Sequence, residues 1–162
     1  MTANRGFYTV SFSDKAATAA MADFDFFEMS PAAEKPIEIV GIVIGQTTAE
    51  GDANEDFVRW TIRRITASFV SGGELVTTAV KLDTADGAAS GAYEAFNANG
   101  SVATGTSEIA HTDTFNIRTG LLYLPPPEMR IKVAGNEDAV VRCESTMDAT
   151  TNFSGTLYFV EV

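Results

Sequence analysis

The chain has 162 residues, enough for one domain and too few for two. Hydrophobic residues make up 45% of it, which supports a packed core and excludes a disordered chain. Twenty-two acids against 11 bases give a formal net charge of -11, which argues against nucleic acid, against an anionic membrane surface, and for a soluble particle that repels its own kind.

In chain order, "GFYTVSF" at 6–12 alternates, with Phe7, Thr9 and Ser11 on one face and Tyr8, Val10 and Phe12 on the other. The Ala-rich "KAATAAMA" at 15–22 lacks Pro and Gly and predicts a short helix or turn. "DFDFFEM" at 23–29 alternates acid and aromatic, and "PIEIVGIVIG" at 36–45 is nearly all apolar, as in a strand covered on both sides. In "DFVRWTIRRIT" at 56–66, Val58, Trp60 and Ile62 point one way, and Arg59, Thr61 and Arg63 the other. Further strands are predicted at 75–81, 92–96, 115–118, 121–124, 130–133, 139–144 and 154–162. Turn-rich connectors separate these runs, and 84–107 reads as a long loop or weak hairpin.

Short strands about ten residues apart, with no helix long enough for a βαβ unit, predict one all-β domain over 1–162. It should be an antiparallel β-sandwich, jelly-roll-like. No secretory signal is visible, and the longest apolar run is too short to cross a bilayer, so the chain is expected to be made in a cytoplasm-like compartment.

Catalytic motifs are sparse. His111 is the only histidine; Asp113 lies two residues on, but no G-x-S-x-G elbow supplies a nucleophile, so a surface or rim histidine is expected. Cys143, the only cysteine, sits in the strand-like "AVVRCES" and should be a buried thiol. One His and one Cys make no zinc site. Asp23, Asp25 and Glu28 lie among phenylalanines, where desolvation could raise a carboxyl pKa; the expectation is a solvated strand face. The acidic loop "EGDANED" at 50–56 lacks the spacing of a calcium loop and reads as a solvated turn. Neither a cofactor nor a catalytic role is expected.

Arg59 and Arg63 share a strand face in the only basic cluster, which suits either cross-strand pairing with acids or contact with an acidic neighbouring subunit. In "LLYLPPPEMRIKV", Pro125, Pro126 and Pro127 offer no backbone donors, so they cannot lie in a central strand. They form either a corner between strands or a stiff spine that holds Tyr123 and Met129 out toward a partner at small entropic cost.

Five motifs, in this order, resemble a group of small proteins from the structural-gene modules of tailed bacteriophages. They are T-V-x-F at 9–12, D-x-F-E-x-x-P-A-x-x-K-P-I at 25–37, Gly-Gln-x-x-x-x-Gly-Asp-Ala at 45–53, N-x-R-x-G at 116–120 and P-x-P-E-M-R at 125–130. The resemblance covers both ends of the chain but not 84–107. It implies a capsid decoration, or cement, protein. Such a protein is assembled in the host cytoplasm, sits on the virion surface, binds the phage major capsid protein, and forms a dimer or trimer. The expected contact residues are Tyr123, Pro125, Pro126, Pro127, Met129 and Arg130, with Phe7, Tyr8, Arg59 and Arg63. The alternatives to this expectation are a neck, tail or head-fibre role, a carbohydrate-binding jelly roll, or a depolymerase-type hydrolase.

Overall fold

The computed structural model describes residues 6–47, 57–66, 74–76, 79–97 and 102–162. The acidic loop at 50–56 lies outside them. The described residues form an all-β sandwich of two antiparallel sheets. Sheet A contains β1 (Phe7–Ala17), β3 (Ile37–Gln46), β6 (Val80–Lys81), β9 (Leu121–Tyr123), β10 (Lys132–Val133) and β12 (Thr151–Glu161). Sheet B contains β2 (Phe24–Ser30), β4 (Phe57–Ile65), β5 (Glu74–Val76), β7 (Ala92–Asn97), β8 (Ser107–Asn116) and β11 (Asp138–Cys143). Eight strands, in the orders β1-β12-β3-β9 and β2-β11-β4-β8, make the jelly roll.

The core follows the alternation read from the sequence. Tyr8, Val10 and Phe12 turn inward from β1, and Val58, Trp60 and Ile62 from β4. Phe12, Phe24, Phe26, Phe96 and Phe153 pack ring against ring; the Phe24–Phe26 centroids are 4.9 Å apart and the Phe26–Phe153 centroids 5.5 Å. Gly155 is required in this layer, because a Cβ there would meet the Phe12 ring at 2.9 Å.

Three expectations are corrected. The Ala-rich 15–22 segment, expected as a short helix or turn, forms no helix: its first part is strand and only its second part is the turn. After an irregularity at Asp14, whose φ is 54°, β1 continues against β12 to the pair Ala17–Thr151, and a turn follows in which Met21 N–H donates to Thr18 O. The sheet ladder overrides a weak local preference. The single strand expected at 75–81 is instead β5 in sheet B and β6 in sheet A. The strand expected at 115–118 is the ten-residue β8, which ends in a turn at Asn116 whose carbonyl accepts from Thr119 and Gly120. β8 is an edge strand with most side chains exposed on both faces, so its sequence carries no alternation to read.

Candidate interaction surface

Edge strand β8 and the short β9, which pairs only with β3, flank one open side of the sandwich. Tyr123, the last residue of β9, reaches across this opening. Its ring stands edge-on to Trp60 at 5.6 Å and lies 4.7 Å from His111, which is itself 5.0 Å from Trp60. The three rings fasten the two sheets together at this edge. Burial raises the Tyr123 pKa and lowers that of His111, although Asp113 pulls His111 the other way. The buried Nε2 of His111 has no hydrogen-bond partner among the described residues.

Beyond Tyr123 the chain turns on its prolines. Pro126 is extended (φ -60°, ψ 156°), and Pro127 opens a single 3₁₀ turn, Pro127–Met129, closed by Met129 N–H donating to Pro126 O at 2.9 Å. Pro at this position loses nothing, since its missing N–H would be unsatisfied anyway. The segment is therefore a corner with an extended entry, not one continuous polyproline spine. Arg130 leaves the turn and ion-pairs with Glu38 of β3 at 3.1 Å, and Lys132 approaches the same carboxylate at 3.7 Å.

The result is a shallow groove of about 300 Å³ lined by Ala110, His111, Tyr123, Pro125, Met129 and Ile131 among others. Around it Leu122, Leu124 and Met129 are 68%, 63% and 70% exposed. Leu124 folds over Gly41, where a Cβ would meet its Cδ2 at 2.6 Å, so the glycine makes room for it. Scattered exposed leucines need no explanation; here Leu122, Leu124 and Met129 line one groove beside the proline corner, which makes it the candidate surface.

The other expected contact residues lie elsewhere. Phe7 is partly exposed at the far edge of sheet A, beside β6. Tyr8 is only 2% exposed, and its hydroxyl donates to Gly87 O at 3.1 Å, so its ring belongs to the core. Arg59 and Arg63 both bind Glu144 on the outer face of sheet B. Burial would raise the Glu144 pKa, but hydrogen bonds from Arg63 and Thr61 outweigh it and hold the group low. The guanidinium pair is thus cross-strand pairing with an acid, the plainer of its two readings. The structure gathers the proline segment with its flanking residues and separates it from the other two patches.

The carboxylates hold the largest surprise. Asp23 is exposed, as expected, but Asp25 and Glu28 are buried. Asp25 takes two hydrogen bonds from Arg142, at 2.6 and 3.0 Å, and one from Ala103 N–H at 2.9 Å; Arg142 also donates to Ala103 O. Glu28 stands directly opposite Glu94 of β7, and that residue is buried too. A single basic residue in a strand of otherwise apolar partners, Arg142 in "AVVRC", was the available signal for a buried acid. Cys143 is buried, and its thiol pKa is pushed up to about 12 by desolvation, so it is no nucleophile in the folded chain. Among the described residues, no group of three metal-ligating side chains converges, and no helix is long and apolar enough to cross a membrane.

No family model, curated protein or solved structure matches the chain.

Proposed function

We propose that the chain is a virion structural protein that decorates a phage capsid and holds shell subunits through the groove at the β8/β9 edge. The observation that carries this reading is the exposed Leu122, Leu124 and Met129 beside the rigid proline corner. Apolar side chains on a pre-shaped loop bind with little ordering cost. The bacteriophage resemblance of the segments at both ends of the chain supports the choice of partner. Tyr123 is not the group held out: it anchors the corner to Trp60 and His111, while the leucines and Met129 meet the shell. A shell offers many identical sites, so weak single contacts add up through avidity. The charge of -11 keeps free copies apart until they dock.

The test is co-sedimentation with undecorated heads. Leu122→Asp and Met129→Asp should fold normally and lose binding. Replacing 125–127 by Gly-Ser-Gly should weaken binding while the protein stays folded. Undiminished co-sedimentation of all three variants would falsify the reading. Copy number in purified virions separates decoration, with hundreds of copies, from a neck or tail role with a dozen or fewer.

A further inference from the structure

The outward side chains of sheet A form a face of unusual character for so acidic a chain. β12 turns Ser154, Thr156, Tyr158 and Val160 outward, and β1 turns out Phe7, Thr9 and Ser11; Thr9 and Val160 are buried, and the others are exposed or half-buried. β3 adds Val43, paired with the exposed Leu122 of β9, and β6 adds the exposed Val80, paired with Thr9. Charge is confined to the margins. Glu38 and Lys132 stand at one corner and Asp14 at the far end of β1, where it accepts from Thr47 and Asn152. Between them the outward positions are uncharged.

We infer that this face is where a second copy of the chain docks, sheet against sheet, about a two-fold axis lying in the interface parallel to the strands. This inference does not rest on the capsid reading; its contact surface is the sheet face, which meets the groove only along the shared margin of Leu122 and Leu124. Two arguments select a second copy. The first is area. Three strands of 10 or 11 residues, about 4.8 Å apart and flanked by the short β6, β9 and β10, give a face on the order of 600 Å², roughly three-quarters of the ~800 Å² that each partner of a standard interface buries. Sheets of this kind pack face to face in sandwiches.

The second argument is charge. One row across the sheet runs Lys132, Glu38, Val160, Phe7 and then Leu82, whose N–H donates to Phe7 O. At its β10 end, Arg130 and Lys132 share the single carboxylate of Glu38. At its β6 end the turn after Leu82 carries Asp83 and Asp86, and the Lys81 ammonium there is taken up by the carbonyls of Thr84 and Asp86. The proposed two-fold keeps each row in place and exchanges its ends. The basic corner of each copy then lies over the acidic turn of the other, twice, and Leu124 lies over Val80. Two chains of net charge -11 repel wherever acids meet. In this arrangement the uncharged centre contributes no repulsion and both rims attract.

Sedimentation velocity decides it. The intact protein should sediment as a dimer, at twice the 17.2 kDa chain mass, at micromolar concentration. Val43→Lys and Thr156→Arg should each give a folded monomer by circular dichroism, while Thr112→Lys on β8 should leave the dimer intact. Lys132→Asp should weaken the dimer roughly 2- to 10-fold, and adding Asp83→Lys in the same chain should restore it. A wild-type monomer, a trimer, or a dimer that survives both face variants overturns the inference. An unchanged dissociation constant for Lys132→Asp overturns the two-fold alignment.

Discussion

On the outer face of sheet B stand Asp25, Glu28, Thr61, Glu94 and Arg142, all buried; on the outer face of sheet A stand serines, threonines, valines and leucines, many of them open to water. Both sheets keep an apolar inner face, but their outer faces depart from the usual pattern in opposite ways. Covered charge is tolerable only when every lone pair and proton is met. Asp25 and Arg142 meet that demand, with two bonds between them and two more to the backbone of Ala103. The same contacts hold the strip around residue 103 down on the sheet, where Ala103 packs with Ile65 and Val140 in a small second apolar cluster. The outer side of sheet A is covered only in part: Thr9 and Val160 are buried, while Phe7, Val43, Val80 and Leu122 are exposed. Between its margins the outward side chains are uncharged, and their bonds among the described residues are few: Ser11 Oγ meets Thr156 Oγ1 at 3.0 Å, Thr9 Oγ1 donates to Val80 O at 3.4 Å, and Ser154 Oγ accepts from Asp14 N–H at 2.8 Å. Sheet B uses its outer face to hold the fold together, while much of the outer face of sheet A stays open to water.

The comparison breaks most readily at Arg142. Arg142→Met leaves Asp25 buried without its cation and should cost about 3–5 kcal/mol, a large part of the stability of an ordinary domain. For a chain of this size that lowers Tm by roughly 10 °C. The double variant Asp25→Leu with Arg142→Met should regain most of the loss, because an apolar pair of similar volume carries no desolvation cost. Thermal melts of the single and double variants give the answer. A single variant within 1 kcal/mol of wild type would mean the pair is solvated and the contrast between the sheets is false.

On the opposite sheet the expected stability effects are small. Leu122→Asp and Thr156→Arg should each change unfolding free energy by less than about 0.5 kcal/mol, since neither removes a buried group. Chemical denaturation with matched m-values measures this. If either variant costs as much as Arg142→Met, the outer face of sheet A is structural and its openness means nothing for binding. Cys143 sharpens the comparison from inside, because it sits in β11, next to Arg142, but faces the core. It should react with a thiol reagent slowly in the folded protein and at once in denaturant. Fast native labelling would show that sheet B opens locally and is not the rigid half.

Much of this was legible beforehand, for reasons that differ by region. β1 and β4 bury one face each, and their apolar residues fall at the period that burial imposes; Tyr8, Val10 and Phe12, or Val58, Trp60 and Ile62, could be sorted inward by counting, whereas the nearly all-apolar β3, expected to be covered on both faces, leaves Val43 exposed on its outer side. β8 could not, because an edge strand open on both faces is under no such constraint. The burial of Asp25 and Glu28 was hidden for a related reason. β2 is covered on both faces, and the cover on its outer side comes from a segment far away in sequence, around Ala103. At the groove, the stiffness of the prolines was readable from composition, but their corner geometry was not, since proline fixes φ and leaves ψ open between extended and 3₁₀ values. The aromatic trio was beyond reach: Trp60, His111 and Tyr123 come from three strands in two sheets and meet only at the sandwich edge.

The smallest expected effect tests that edge by pH. Burial against Trp60 and Tyr123 pushes the His111 pKa below its ordinary 6.5, and the Asp113 charge only partly offsets this. The folded chain therefore binds this proton less readily than the unfolded one. The stability it confers is fully present above pH 6.5 and is lost as pH falls from 6.5 through the lower folded value. The other resolved shifts do not mimic this. Glu144, held low by Arg63 and Thr61, loses its contribution only below about 4.5, and Asp138, raised by burial, acts in the opposite sense. Denaturant midpoints between pH 7 and pH 5 should thus fall modestly for the intact protein and stay nearly flat for His111→Phe, which keeps the ring packing without the proton. Head binding should weaken over the same interval, because a protonated His111 places a charge in the wall of an apolar groove. Equal pH slopes for the two proteins would mean that solvent reaches the imidazole freely, and that the three rings do not fasten the sheets at this edge.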